Sequence, residues 1–96
     1  MKESDFQKRL IDKLERLYPG CVILKNDPTY LQGIPDLVIF YGDRWAMLEV
    51  KAKATSPVQP NQPYYVDLLN RMSFASFINP SNEEEVLHGL ETALRP

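Results

Sequence analysis

Residues 36–51 read DLVIFYGDRWAMLEVK, two apolar runs on either side of Gly42-Asp43, and this stretch constrains the fold more than any other. A Gly-Asp pair between such runs is a two-residue hairpin signal, with glycine first as a type II′ turn prefers. The strands then cover about 36–41 and 44–51, and the turn sets their register. Tyr41 faces Arg44, Phe40 faces Trp45, Val38 faces Met47 and Asp36 faces Glu49. Side chains alternate between the two faces of a strand, so Lys51 projects from the same face as Glu49.

The flanking segments supply helices and further strands. ESDFQKRLIDKLERLYPG places Phe6, Leu10, Ile11, Leu14, Leu17 and Tyr18 at helical spacing, and Pro19-Gly20 ends the run. Ser4 followed by Gln7 resembles a capping box, with the helix starting at Ser4 or one residue earlier. CVILK (21–25) reads as a short buried strand, and NDPTYLQGIP (26–35) as a loop. AKATSPVQPNQP (52–63) carries too many prolines to be regular until a helix opens near Asn61 and runs through YYVDLLNRM. FASFI (74–78) is a fourth strand. The final helix follows Ser81 or Asn82, with glutamates in its first turn where the helix dipole favours them. The expected fold is therefore α/β, in the order α-β-β-β-α-β-α, with a mixed sheet carrying helices on its faces.

Length and composition bound what this fold can do. A chain of 96 residues makes one domain, spanning 1–96, with a modest core. No apolar run is long enough for a membrane span, and MKESDFQKRL does not read as a signal peptide. The single cysteine, Cys21, has no internal partner, which fits a reducing cytoplasm; its expected place is a buried strand position. A net charge of −2 weighs mildly against a nucleic-acid partner. Glu83, Glu84, Glu85 and Glu91 concentrate acid near the C-terminus, however, which leaves room for a basic face elsewhere.

The facing carboxylates carry the chemistry. Like charges directly opposed across two strands destabilise a sheet, and each raises the other's pKa unless a cation intervenes. Two carboxylates completed by water and phosphate oxygens suit Mg²⁺, with Mn²⁺ as a substitute. A neighbouring lysine can orient or deprotonate a water and meet developing negative charge. Asp36, Glu49 and Lys51 together describe metal-assisted hydrolysis of a phosphodiester. A turn residue after Pro35 and a solvated strand end would account for the same letters without chemistry.

GIPD (33–36) followed by EVK (49–51) resembles the PD-(D/E)XK nuclease superfamily, and within it the VRR-NUC family, whose stand-alone members are often encoded by phages. The likeness covers most of the chain. It implies a restriction-endonuclease-like core and Mg²⁺-dependent DNA cleavage, with Asp36 and Glu49 as metal ligands, the Val50 carbonyl as a third, and Lys51 acting on the attacking water. The family's early acid is best matched by Glu3, with Asp5 as the alternative. Its glutamine is matched by Gln62 or Gln59; Gln62 is preferred, because a residue in a first helical turn is held more rigidly than one between prolines. Lys25, Lys53, Lys8 and Arg9 are candidates for the DNA backbone. A homodimer would provide paired incisions and cover apolar surface, in a cytoplasmic protein selective for junctions, flaps or nicks.

Other classes compete with this reading. A nuclease-like fold could serve as a binding or inhibitory module without turnover, or as a nuclease active only within a larger complex. His88, among glutamates and without a second histidine, reads as a surface residue. Trp45, Phe40 and Met47 read as core, and Tyr64 and Tyr65 as helix packing.

Overall fold

The computed structural model describes the whole chain, Met1–Pro96, and its elements follow the expected order. They are α1 (Glu3–Leu17), β1 (Val22–Lys25), β2 (Leu37–Tyr41), β3 (Arg44–Val50), α2 (Asn61–Met72), β4 (Ala75–Ile78) and α3 (Glu83–Leu94). The four strands lie side by side in sequence order, antiparallel from β1 to β3 and parallel between β3 and β4. The parallel pair is what requires α2 as a crossover.

The hairpin has the expected register: Tyr41 pairs with Arg44, Phe40 with Trp45, Val38 with Met47 and Leu37 with Leu48. Gly42 sits at φ +63° while no non-glycine residue has positive φ, so the turn has the first-position glycine of type II′. Asp36 lies one residue beyond the last formal pair, next in line to Glu49.

One face of the sheet is closed. Leu37, Ile39, Ala46, Leu48, Val50 and Ile78 meet Phe6, Leu10, Leu14 and Tyr18 of α1 and Val86, Leu90 and Leu94 of α3 in a single core. At the hairpin end Arg95 fastens this layer. Its guanidinium lies 4.7 Å from the Tyr18 ring centroid and 5.2 Å from that of Tyr41, and donates to the Leu17 carbonyl at 2.8 Å. Both helices therefore end at the hairpin, away from Asp36 and Glu49.

The second face is only partly covered. α2 packs over β3 and β4, burying Leu69; Val38 of β2 is also buried on this face, but β1 and the hairpin end of β2 are left open. Val22 and Leu24 are about half exposed and Phe40 is 42% exposed. Three expectations are corrected here. The 21–25 strand is an exposed edge rather than a buried strand, and Cys21 sits half-buried just before it. Phe40, Trp45 and Met47 lie on the open face, so none joins the main core. Tyr64 is 61% exposed on α2, meeting the Tyr65 ring edge-on at 5.0 Å between centroids rather than packing into the interior. Strand alternation told which residues share a face, but not that one crossover helix is too narrow to cover it.

The helices start where expected, α1 one residue before Ser4, α2 at Asn61 and α3 after Asn82, but their side-chain caps differ from expectation. α1 opens after Lys2 with no side-chain cap, and Ser4 lies inside the helix, so no capping box forms. At α3 the Asn82 side chain accepts from the Asn79 N–H at 2.8 Å, tying the preceding turn instead of capping the helix. His88 is exposed, as expected.

Candidate metal and phosphodiester site

The chain brings Asp36, Glu49, Lys51 and Gln62 together where β2 begins, β3 ends and α2 starts. β3 runs from an exposed Arg44 to a fully buried Val50, so its polar residues enter the protein with it. Glu49 is 3% exposed and Lys51 9%, and only Asn79 joins them among buried polar residues. Asn79 is satisfied by its own turn: its Oδ1 accepts from the N–H groups of Ser81 and Asn82 and from the Ser81 hydroxyl. Glu49 is not. Its Oε2 accepts from Gln62 Nε2 at 2.8 Å, but its Oε1 is buried without any partner.

Gln62 holds the site together. Its Nε2 donates to Glu49, and its Oε1 accepts both from Lys51 Nζ and from the Gln59 N–H, each at 2.9 Å. Lys51 Nζ donates in addition to the Pro57 carbonyl at 2.9 Å and stands 3.6 Å from Glu49 Oε2. Two of its three N–H groups are thus fixed, and the third is left on the carboxylate side. Of the two glutamines weighed from sequence, Gln62 contributes its side chain and Gln59 only its backbone N–H.

Asp36 is half-buried, and its Oδ2 accepts from the Val50 N–H at 3.0 Å. Val50 turns its side chain into the closed core, and its backbone joins Glu49 to Lys51. Burial drives both acids upward. Desolvation, the largest influence, raises the Glu49 pKa to about 7, with the Asp36 charge the next cause; Lys51 pulls the other way. Asp36 is also raised, mainly by burial, against the Val50 hydrogen bond and the Lys51 charge.

This donor set fits a hard divalent cation. No group of three or more His, Cys, Asp or Glu side chains is gathered to hold a metal, so the protein offers no complete cage. Mg²⁺ does not need one: it keeps several waters and takes one or two carboxylates plus substrate phosphate. Glu49 Oε1 is the one buried side-chain polar atom that nothing in the chain satisfies, and it lies beside a second carboxylate.

The remaining candidates are spread more widely. Glu3 is exposed as the first residue of α1, and Asp5 is exposed two residues on; neither takes part in the hydrogen bonds and ion pair that join the four central residues. Lys8, Lys25 and Lys53 are exposed. Arg9 is engaged elsewhere, sharing Glu83 with Lys13 at 3.1 and 2.9 Å respectively.

Three participants escaped the sequence reading. The Pro57 carbonyl anchors Lys51. Asn26 carries the ladder past β1: its N–H donates to the Asp36 carbonyl at 2.8 Å and its Nδ2 to the Pro35 carbonyl at 2.9 Å. Gly33 is buried at φ +94°, and a Cβ there would lie 2.4 Å from Asn61 Cβ and 2.8 Å from its carbonyl carbon. Glycine is therefore required where the 26–36 loop docks on the start of α2, one residue before Gln62. A signal for this was present, in a glycine two residues ahead of a proline within the motif, but its neighbour was not readable.

No protein-family model, curated protein or solved structure matches this chain.

Proposed function

We propose that the protein is a divalent-metal-dependent DNA endonuclease of the PD-(D/E)XK type, close in motif to VRR-NUC nucleases. The observation that carries this reading is the buried, unpartnered Glu49 Oε1 beside Asp36 and Lys51. A domain of this size gains nothing in stability from burying a carboxylate without satisfying it. A ligand that completes it repays the cost.

Bound between Asp36 and Glu49, Mg²⁺ or Mn²⁺ would supply Lewis-acid polarisation of the phosphodiester. Asp36 is oriented for this by the Val50 N–H, and Glu49 by the Gln62 amide. Lys51, anchored at Pro57 and Gln62, has one N–H left to orient the attacking water or to meet charge developing on a phosphate oxygen. Gln62 is a positioning residue, since it reaches both partners and needs no substrate contact to do so. Exposed Lys25 and Lys53 flank this end of the sheet and suit backbone phosphates. Val22, Leu24 and Phe40, side by side on the open face, support a homodimer that covers them. No helix is long and apolar enough to cross a membrane.

The test is cleavage of supercoiled plasmid, linear duplex, a four-way junction and a flap in Mg²⁺, Mn²⁺ or EDTA, beside Glu49→Ala. Metal-dependent cutting lost in the variant supports the nuclease. A well-folded protein that binds DNA but cuts none of these substrates supports the second reading, a binding module.

A further inference from the structure

The loop that delivers Asp36 also builds a cavity of about 450 Å³, lined by Asn26, Asp27, Tyr30, Leu31 and Ile34. Its wall is shaped by consecutive turns. Asp27 Oδ1 accepts from the Thr29 N–H at 2.9 Å and the Thr29 hydroxyl at 2.6 Å, and the Asp27 carbonyl accepts from the Tyr30 N–H at 3.2 Å. Ile34 N–H closes the next turn on the Leu31 carbonyl at 3.2 Å. The result holds Tyr30 89% exposed at the cavity, the most exposed large hydrophobic side chain in the protein.

A single exposed aromatic residue requires no explanation. Here the position supplies one. Asn26, in the cavity wall, donates its N–H to the Asp36 carbonyl and its side-chain amide to the Pro35 carbonyl. The cavity is therefore one hydrogen bond from the backbone of a candidate metal ligand, and its volume lies in the range of small-molecule sites. Its chemistry selects among the parts of a nucleotide. No lysine or arginine lines it, and the one charged lining residue is Asp27, so a phosphate is disfavoured. An aromatic face with two aliphatic side chains and a polar amide suits a nucleobase, which offers a π-face and hydrogen-bonding edges.

We propose that this cavity takes an unpaired nucleobase of the strand to be cut, stacked on Tyr30. A paired base is already stacked within its duplex and presents no free face, so the device selects phosphodiesters beside single-stranded positions, as at flaps or gaps. The inference rests on the nuclease reading and names its substrate class.

The experiment measures binding in EDTA, where no cutting occurs, by fluorescence anisotropy. The probes are a blunt duplex, the same duplex with a single-stranded flap, and that flap with one abasic position at the junction. Wild type should prefer the flap. Tyr30→Ala should lose roughly ten-fold or more in flap affinity, as removal of a stacked base contact does, while duplex affinity stays level. Tyr30→Phe should retain the preference. The abasic flap should weaken wild type but not Tyr30→Ala further, because each change removes the same contact. Equal losses on flap and duplex, or none, overturn the proposal. A flap preference that depends on Tyr30 with no metal-dependent cleavage would leave the base pocket standing and remove the hydrolytic reading. Metal-dependent cleavage that is indifferent to Tyr30 would do the reverse.

Discussion

The two faces of the sheet use the same strands to opposite ends. On the closed face α1 and α3 bury Leu37, Leu48 and Val50 against Phe6, Leu10 and Leu90, all 0–1% exposed and all apolar. On the other, the intervening residues of the same strands include Glu49 and, just beyond β3, Lys51, buried but ionisable, and an apolar strip left to solvent. One face holds the fold; the other places charge where folding alone would not. The main core and the proposed chemistry therefore lie on different faces, and substitutions can test whether they are separable.

The largest expected effect belongs to the closed face. Phe6→Ala should cost about 3–5 kcal/mol, a large share of the stability of a small domain. Chemical denaturation measures it. Where the variant remains folded, its metal affinity should match wild type; a parallel loss of metal binding would show that the faces are not independent.

Next comes Lys51→Met, which keeps the stem and removes the ammonium. Cleavage should fall by about 10²–10³-fold, comparable to removing a preorganised donor from a reacting oxyanion. Metal binding, read by calorimetry, should persist. Unchanged turnover would remove Lys51 from the chemistry and leave it as a partner for Gln62 and Pro57.

These contrasts mark how far the sequence could be read. Gly42-Asp43 fixed the hairpin because a two-residue turn leaves little freedom in register, and that register brought Asp36 toward Glu49. Gln62 was separable from Gln59 by one local argument, the rigidity of a first helical turn. What stayed hidden depended on partners distant in sequence. Gly33 is explained only by Asn61, and the exposure of Phe40 and Leu24 by where α2 stops. The start of α1 was legible, but Ser4 is no cap, because the helix already begins at Glu3 and holds that hydroxyl inside its first turn.

A smaller effect should appear in pH. The Glu49 pKa of about 7 in the folded protein lies above its ordinary 4.5, so the folded state binds the proton more tightly than the unfolded chain. Its stabilising contribution is then complete below about pH 4.5 and is lost as pH rises through 7. Asp36 shifts in the same direction. In EDTA, stability should fall between pH 5 and 8 by an amount on the order of 2 kcal/mol. Mg²⁺ or Mn²⁺ should restore it most at pH 8, where the carboxylates are ionised and available. A melting temperature flat across that range, with or without metal, would place the charges in a wetter site than the 3% exposure of Glu49 describes.

The subtlest test changes one atom. Asp36→Asn keeps an oxygen that can accept from the Val50 N–H, but removes the charge that helps raise Glu49. In EDTA at pH 8 the variant should gain about 1 kcal/mol, since relief of like-charge repulsion is worth roughly that at close range. With metal present the sign should reverse, because wild type gains a two-carboxylate ligand pair that the variant lacks. A variant that is less stable in EDTA would mean that Asp36 holds the start of β2 in place more than it repels Glu49. The open face would then be held together by its charges, in the same sense that the closed face is held by its leucines.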